Sequence, residues 1–190
     1  MGKKILVMLF LLLNVGAVFA SENVAGDSAK ISAANAGPLV DRVTYKTAVI
    51  DQNVKRKALI KVLQKYQSPM VENVDSFIHT CNNQQIDCYL LPAIAGLESY
   101  FGRHIYPNSH NPFGWGRGYM MFKDWDQAIE AVGQGLNQNY IGHGAQSIDQ
   151  IGRIYSESPT WAYRIKRFMA EFKNAEQENG LQFSSFDLQL

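Results

Sequence analysis

The sequence has no excess of charge of either sign. Its 190 residues include 18 Lys or Arg and 17 Asp or Glu, which leaves a formal net charge of +1. These charges are scattered along the chain, whereas a surface that binds nucleic acid concentrates basic side chains against the phosphates. The composition therefore argues against nucleic acid as a partner.

Long apolar segments are absent after the N-terminus. Residues 5–13 are apolar, follow Lys3 and Lys4, and precede small residues that suit a cleavage site ending at Ala20. Because a membrane-spanning helix needs about 20 apolar residues, we predict a cleaved secretory signal peptide over residues 1–20 rather than an uncleaved membrane anchor. The mature protein is then expected to be exported, periplasmic or extracellular, without a membrane span.

Metal-ligand motifs are missing as well. None of the histidines shows a spacing such as HExxH, and the two cysteines lack the spacing of a zinc or redox site. We therefore expect no metal and no cofactor. The histidines are His79, His104, His110 and His143.

Cysteine is scarce, and the two residues present are Cys81 and Cys88. In a straight helix, residues seven positions apart have alpha carbons about 10 Å apart, which is too far for a disulfide. A bridge would therefore require a bend, which residues 82–87 could supply, and it would contribute about 2.5 kcal/mol by loop closure. The sequence leaves a disulfide and two free thiols equally open.

Neither an internal repeat nor a clear alternating strand is present. Residues 21–43 are rich in small and polar side chains and are predicted to be a flexible linker. Residues 44–180 show apolar residues at helical spacing, with Pro, Ser and Gly at the breaks. We predict a single all-α domain of six short helices there and a tail at residues 181–190. Residues 116–122 could add a short β-hairpin arm.

Glu98 stands at the end of an apolar stretch. Residues 92–97 carry only apolar side chains or glycine, and Tyr100 and Phe101 follow. A carboxyl group in such surroundings is hard to ionise, so its pKa is expected to rise, which suits a general acid. The same pattern also fits a glutamate that caps the helix or points to water. We expect Gly102 to end this helix.

The loop that follows Glu98 combines polar and aromatic side chains. Ser109 and Asn111 stand beside Phe113 and Trp115, and the glycines among them let the backbone approach a ligand closely. Sugars present apolar C–H faces and polar edges, which such a set suits. We predict these four residues as substrate-binding. The alternative is a turn-rich loop whose aromatic rings simply cover the core.

Two residues further along are candidates to assist Glu98. Tyr155 could direct its hydroxyl at a reacting centre, or it could be a core tyrosine with a satisfied hydroxyl. Glu157 could act as a second carboxylate, although a solvated turn before the sixth helix is the better interpretation of its surroundings.

The quoted residues carry a resemblance to a known family. The stretch "LLPAIAGLESYFGRHI", followed by "NSHNPFGWG", resembles the catalytic region of bacterial glucosaminidases of the lysozyme-like superfamily. These include the family 73 peptidoglycan N-acetylglucosaminidases and the endo-β-N-acetylglucosaminidase type. In the same order, "YQSPM", "FKDWDQAIEAV" and "IGRIYSESPTWAYRIKRFM" resemble further segments of that family.

The resemblance implies a small lysozyme-like domain that binds and hydrolyses β-1,4-linked glycan strands of peptidoglycan. It implies Glu98 as the catalytic acid, Tyr155 as a catalytic residue near the cleft, and the loop from Ser109 to Trp115 as the wall of the groove. No second catalytic carboxylate can be matched. A lytic transglycosylase acting on the same substrate and a non-catalytic peptidoglycan-binding module are the alternatives.

Overall fold

The structure, a computed structural model, describes residues 39–187, all within the unit Pro38–Leu190. The all-α class is confirmed for this part of the chain, which contains six α-helices and no β-strand. In chain order they are α1 (Leu39–Lys65), α2 (Val74–Gln84), α3 (Leu90–Ser99), α4 (Trp125–Leu136), α5 (Ile148–Tyr155) and α6 (Trp161–Asp187). The predicted signal peptide and most of the predicted linker lie outside the described residues, as do residues 188–190 of the tail.

Short helical turns supplement the six helices. A 3-10 turn at Val71–Asn73 leads into α2, and a π-helical turn at Asn137–Ile141 continues α4. The segment that was expected to allow a hairpin arm instead holds a short turn at Trp115–Gly118. Gly116 and Arg117 lie in the left-handed region there, with φ of 59° and 58°. This conformation forms a turn, whereas a β-strand requires extended backbone.

Both long helices exceed the predicted bounds. α1 begins at Leu39, inside the predicted linker, and α6 continues to Asp187, beyond the predicted stop at Gly180. A glycine inside an exposed helix costs only about 1 kcal/mol, and α6 packs against α1, with the Lys61–Glu178 ion pair two residues before Gly180. Tertiary packing therefore outweighs the local tendency of Gly180 to end a helix.

The central helix is α3, in which every residue from 90 to 96 is buried. It packs against α6 and α4, and α2 packs against α1 and α4. Large buried side chains from all sides, such as Leu59, Phe77, Ile129 and Phe172, complete one core. Each such side chain contributes about 1.5–3 kcal/mol on full burial. The position of α3 means that its C-terminal end, with Glu98, is held from several directions.

A disulfide joins Cys81 to Cys88, with alpha carbons 4.9 Å apart. α2 ends before the second cysteine, and Gln85 adopts a left-handed conformation (φ 53°) while its N–H bonds to the Cys81 carbonyl. This turn supplies the bend that a straight helix lacks. None of the described helices is long and apolar enough to cross a membrane.

Two helix starts are fixed by side-chain caps. The Asp124 carboxylate accepts a hydrogen bond from the Gln127 backbone N–H at 2.8 Å and caps α4. Ser147 caps α5 by accepting from the Gln150 N–H at 3.3 Å. The two caps determine where α4 and α5 begin. Gly135 and Tyr155, at the C-terminal ends of these helices, contact the loop after α3.

Candidate active site

α3 ends earlier than expected, through residues other than glycine. Tyr100 and Phe101 have φ of 51° and 59°, so the chain turns two residues before Gly102. Left-handed backbone costs a non-glycine residue about 1–2 kcal/mol. Packing offsets this cost, because the buried Phe101 ring stacks on Tyr66 at 4.3 Å and occupies the space left by Gly96, where a Cβ would approach it to 2.6 Å. Glu98 therefore lies in the last turn of α3.

Ser99 links the following loop to α3 by hydrogen bonds. Its hydroxyl lies 2.8 Å from the Pro112 carbonyl and 3.0 Å from the Ala95 carbonyl, and it accepts a hydrogen bond from the Gly102 N–H at 2.8 Å. Because Ser99 is buried, these bonds are protected from water. The residue next to Glu98 thus fixes where the chain returns past the carboxyl group.

The loop side chains predicted to bind substrate are mostly internal. Ser109 and Phe113 are fully buried and Asn111 is 2% exposed. The Asn111 amide donates to the Trp115 carbonyl at 2.7 Å, and its oxygen accepts from the Trp115 N–H at 3.2 Å. The Ser109 hydroxyl accepts from the Asn111 N–H at 3.2 Å. These three side chains are packed inside the loop, and Ser109 and Asn111 bond its backbone. That they contact substrate stays a prediction.

Trp115 is the one predicted loop residue that remains partly exposed. Its indole lies against α4 at Gly135, where an added Cβ would come within 2.2 Å of the ring. Only glycine leaves room for the ring there. The absence of a side chain at residue 135 thus leaves room for the Trp115 ring against α4.

The Glu98 carboxyl group is held by side chains of α6 and by the loop. The Trp161 indole N–H donates to Glu98 Oε1 at 2.8 Å. Gly114 lies on another side, and a Cβ added to it would be 3.5 Å from Glu98 Oε2. Burial of the carboxyl group raises the Glu98 pKa, and the Trp161 hydrogen bond and the Arg164 charge oppose the rise. Because part of the side chain is still exposed, Glu98 combines a raised pKa with access to a ligand.

The structure brings Tyr155 next to Glu98 but directs its hydroxyl elsewhere. The hydroxyl donates to the Phe113 backbone carbonyl at 2.7 Å, and the ring stacks on Trp161 with centroids 4.9 Å apart. Burial, followed by the Glu98 charge, holds the Tyr155 pKa well above its usual value, so it remains a neutral phenol. Tyr155 therefore supports both the loop and the indole that contact Glu98.

A second carboxylate is not part of this arrangement. Glu157 is exposed in the turn between α5 and α6. The charge that acts on Glu98 comes from Arg164, and no other carboxylate of residues 39–187 contributes to its raised pKa. Within the same range, no group of three or more His, Cys, Asp or Glu side chains is arranged to hold a metal ion.

Sequence reasoning missed two residues that act directly on Glu98. Trp161 is only 2% exposed, and its N–H donates to the Glu98 carboxylate. A buried tryptophan needs an acceptor for its N–H, and this was the available signal. Arg164, one turn further along α6, had no distinguishing pattern.

No protein-family model and no curated protein matches this chain. A function for it therefore rests on the geometry around Glu98.

Proposed function

We propose that this protein is an exported glycoside hydrolase that cleaves β-1,4 bonds in the glycan strands of peptidoglycan. Its specificity would be of the N-acetylglucosaminidase type, on a lysozyme-like domain. The observation that carries the proposal is the carboxyl group of Glu98, which is crowded enough for its pKa to rise and still accessible to a ligand. A general acid for glycoside cleavage needs both properties.

In the proposed reaction, protonated Glu98 donates its proton to the glycosidic oxygen as the bond to the sugar breaks. The Trp161 N–H, 2.8 Å from Oε1, then stabilises the carboxylate that forms, since a hydrogen bond to a charged group is stronger than one to a neutral group. Tyr155 acts as a positioning residue through Phe113 and Trp161. The N–H donor therefore favours the state that follows proton transfer.

The positive charge that develops on the sugar needs a stabilising group on the face of the sugar opposite Glu98. Glycosidases commonly use a second carboxylate, but some rely on the acetamido group of the substrate. No carboxylate of residues 39–187 contributes to the Glu98 pKa. In our proposal the acetamido oxygen or a water molecule therefore bonds to the anomeric carbon as the glycosidic bond breaks; where the acetamido oxygen does so, water then hydrolyses the cyclic intermediate. A lytic transglycosylase, which needs a single acid and base, is the second candidate on the same observation.

The test compares Glu98→Gln with Glu157→Gln on purified peptidoglycan. Both variants lose one carboxylate, but Glu157 lies in an exposed turn. We expect Glu98→Gln to lose at least about a hundredfold in turnover, as is typical when a general acid is removed, and Glu157→Gln to retain activity. Wild-type turnover in the Glu98 variant would overturn the assignment.

Mass spectrometry of the released fragments separates the candidate reactions. A reducing GlcNAc end indicates glucosaminidase activity and a reducing MurNAc end indicates muramidase activity. An anhydro-muramic end indicates a lytic transglycosylase. Binding to peptidoglycan without any fragment would indicate a non-catalytic module.

A further inference from the structure

A cavity lies between the end of α1 and the first turns of α6. Its volume is about 320 Å³. Its lining residues are Tyr66, Tyr100, Arg164, Arg167, Phe168 and Glu171. Nothing in the proposed acid catalysis uses this cavity.

The cavity carries an excess of positive charge. Its one acid, Glu171, is already engaged by Lys65 Nζ at 2.6 Å and by the Tyr66 hydroxyl at 2.9 Å. Arg164 and Arg167 have no carboxylate within ion-pairing distance among the described residues. Two guanidinium groups are therefore available, and the planar guanidinium binds carboxylates through paired hydrogen bonds.

The walls of the cavity are aromatic. The Tyr66 ring contacts Tyr100 edge-on at 5.6 Å and Phe168 edge-on at 6.1 Å. Such rings accept the C–H groups of a short apolar arm. The combination fits a carboxylate attached to a small aliphatic group better than it fits an inorganic anion.

The cavity and the Glu98 site share residues of α6 and of the turn after α3. Trp161 bonds Glu98, and Arg164, one turn later, acts on the Glu98 carboxyl group by its charge. Arg167 follows after a further rise of about 4.5 Å. Tyr100, two residues after Glu98, forms the opposite side of the cavity. Arg164 and Tyr100 thus connect the lining of the cavity to the surroundings of Glu98.

From this arrangement we infer that the Arg164–Arg167 cavity binds a carboxylate carried by the glycan substrate. This inference rests on the proposed function and narrows it, because the site then selects acidic strands over neutral GlcNAc polymers. In peptidoglycan the carboxylate has two alternative sources. Where muramic acid carries no peptide, its lactyl group ends in a free carboxylate; where a stem peptide is amide-linked to that group, the carboxylates are those of the peptide.

The test uses Arg167→Gln, because Arg167 does not contribute to the Glu98 pKa. Cleavage is measured on strands with stem peptides, on amidase-treated strands with free lactyl carboxylates, and on a neutral GlcNAc oligomer. We expect KM to rise about tenfold on the acidic substrates, as the loss of a charged hydrogen bond implies, while kcat and the neutral substrate are unaffected. An effect only on amidase-treated strands assigns the lactyl carboxylate, and an effect only on strands with stem peptides assigns a peptide carboxylate. An effect on both shows that the cavity accepts either carboxylate.

Lys166→Gln is the matched control, since it removes one positive charge from the same helix. Lys166 faces α5, where it pairs with Asp149 at 2.5 Å. An equal rise in KM for Lys166→Gln, or an unchanged KM for Arg167→Gln on both acidic substrates, overturns the inference.

A binding measurement separates this inference from the proposed function. Calorimetric titration of stem-peptide-bearing disaccharide, N-acetylmuramic acid and GlcNAc into wild type and Arg167→Gln requires no turnover. If no substrate is cleaved but an acidic ligand still binds about tenfold more weakly to Arg167→Gln, the proposed function fails and the carboxylate site stands. If cleavage occurs and neither KM nor binding depends on Arg167, the inferred carboxylate site is rejected and the proposed function is kept.

Discussion

Replacing Trp161 with Phe isolates the hydrogen bond to Glu98. The change removes the N–H that lies 2.8 Å from Glu98 Oε1 and keeps an aromatic ring to stack on Tyr155. A hydrogen bond to a buried charged group contributes about 1.5–3 kcal/mol. Because Glu98 is partly exposed, solvent screening reduces this to about 1 kcal/mol. That energy corresponds to a roughly fivefold change in proton affinity.

The sign of the effect follows from which form of Glu98 the bond favours. The N–H stabilises the ionised carboxylate, so its loss raises the Glu98 pKa further above the usual range. The general acid then keeps its proton to higher pH. We expect the alkaline limb of the kcat/KM profile to move to higher pH in Trp161→Phe, while the maximal rate falls because the carboxylate product is less stabilised.

The assay is the pH dependence of kcat/KM on soluble peptidoglycan fragments. Trp125→Phe is the control, because the Trp125 ring lies against His110 at 5.1 Å and does not bond Glu98. Circular dichroism verifies that each variant is folded. An alkaline limb that stays in place, or moves to lower pH, in Trp161→Phe would refute the reasoning.

Three other predictions concern the same site. Gly114→Ala should lower kcat/KM more than Gly118→Ala. Both glycines have positive φ (73° and 84°), so both substitutions strain the backbone, but only the methyl at residue 114 would lie 3.5 Å from the Glu98 carboxyl. Equal losses would show that backbone strain alone causes the effect. Tyr155→Phe should lower the free energy of unfolding in urea by about 1–2 kcal/mol, since the Phe113 carbonyl loses its donor, and an unchanged midpoint would contradict this. Glu98→Gln should raise the melting temperature near pH 7 but not near pH 4. Burial raises the Glu98 pKa in the folded state above the usual 4.5, so the ionised carboxylate destabilises the fold once pH rises through that raised pKa. Glutamine does not ionise and therefore removes this destabilisation only at the higher pH. An equal difference at both pH values would count against that account.

The sequence was informative about Glu98 because its signal is local. Apolar residues on the N-terminal side and aromatic residues on the other determine what surrounds the carboxyl group, and the raised pKa agrees with that expectation. The helical class was predictable for the same reason, since apolar spacing along each segment reports the helix face that is buried.

The roles of Ser109 and Asn111 were not predictable in this way. A polar side chain in a loop can face a ligand or bond the loop's own backbone, and composition does not distinguish the two. Asn111 uses its amide on Trp115, and only the folded path of the chain reveals this choice. The stop of α3 before Gly102 has the same origin, because the burial of Phe101 depends on Tyr66, 35 positions earlier in the sequence.

The pairing of the first and last described helices has a consequence for the order of events in folding. Lys65 pairs with Glu171 and Lys61 with Glu178, so α1 and α6 run antiparallel and join residues 106 and 117 positions apart. At a synthesis rate of about 5–20 residues per second, α1 waits roughly 5–20 s for its partner. Until then α2 can cover part of α1, but the face of α1 that packs on α6 lacks its partner. In a nascent chain with this topology, the packing between α1 and α6 therefore forms only after α6 has been synthesised.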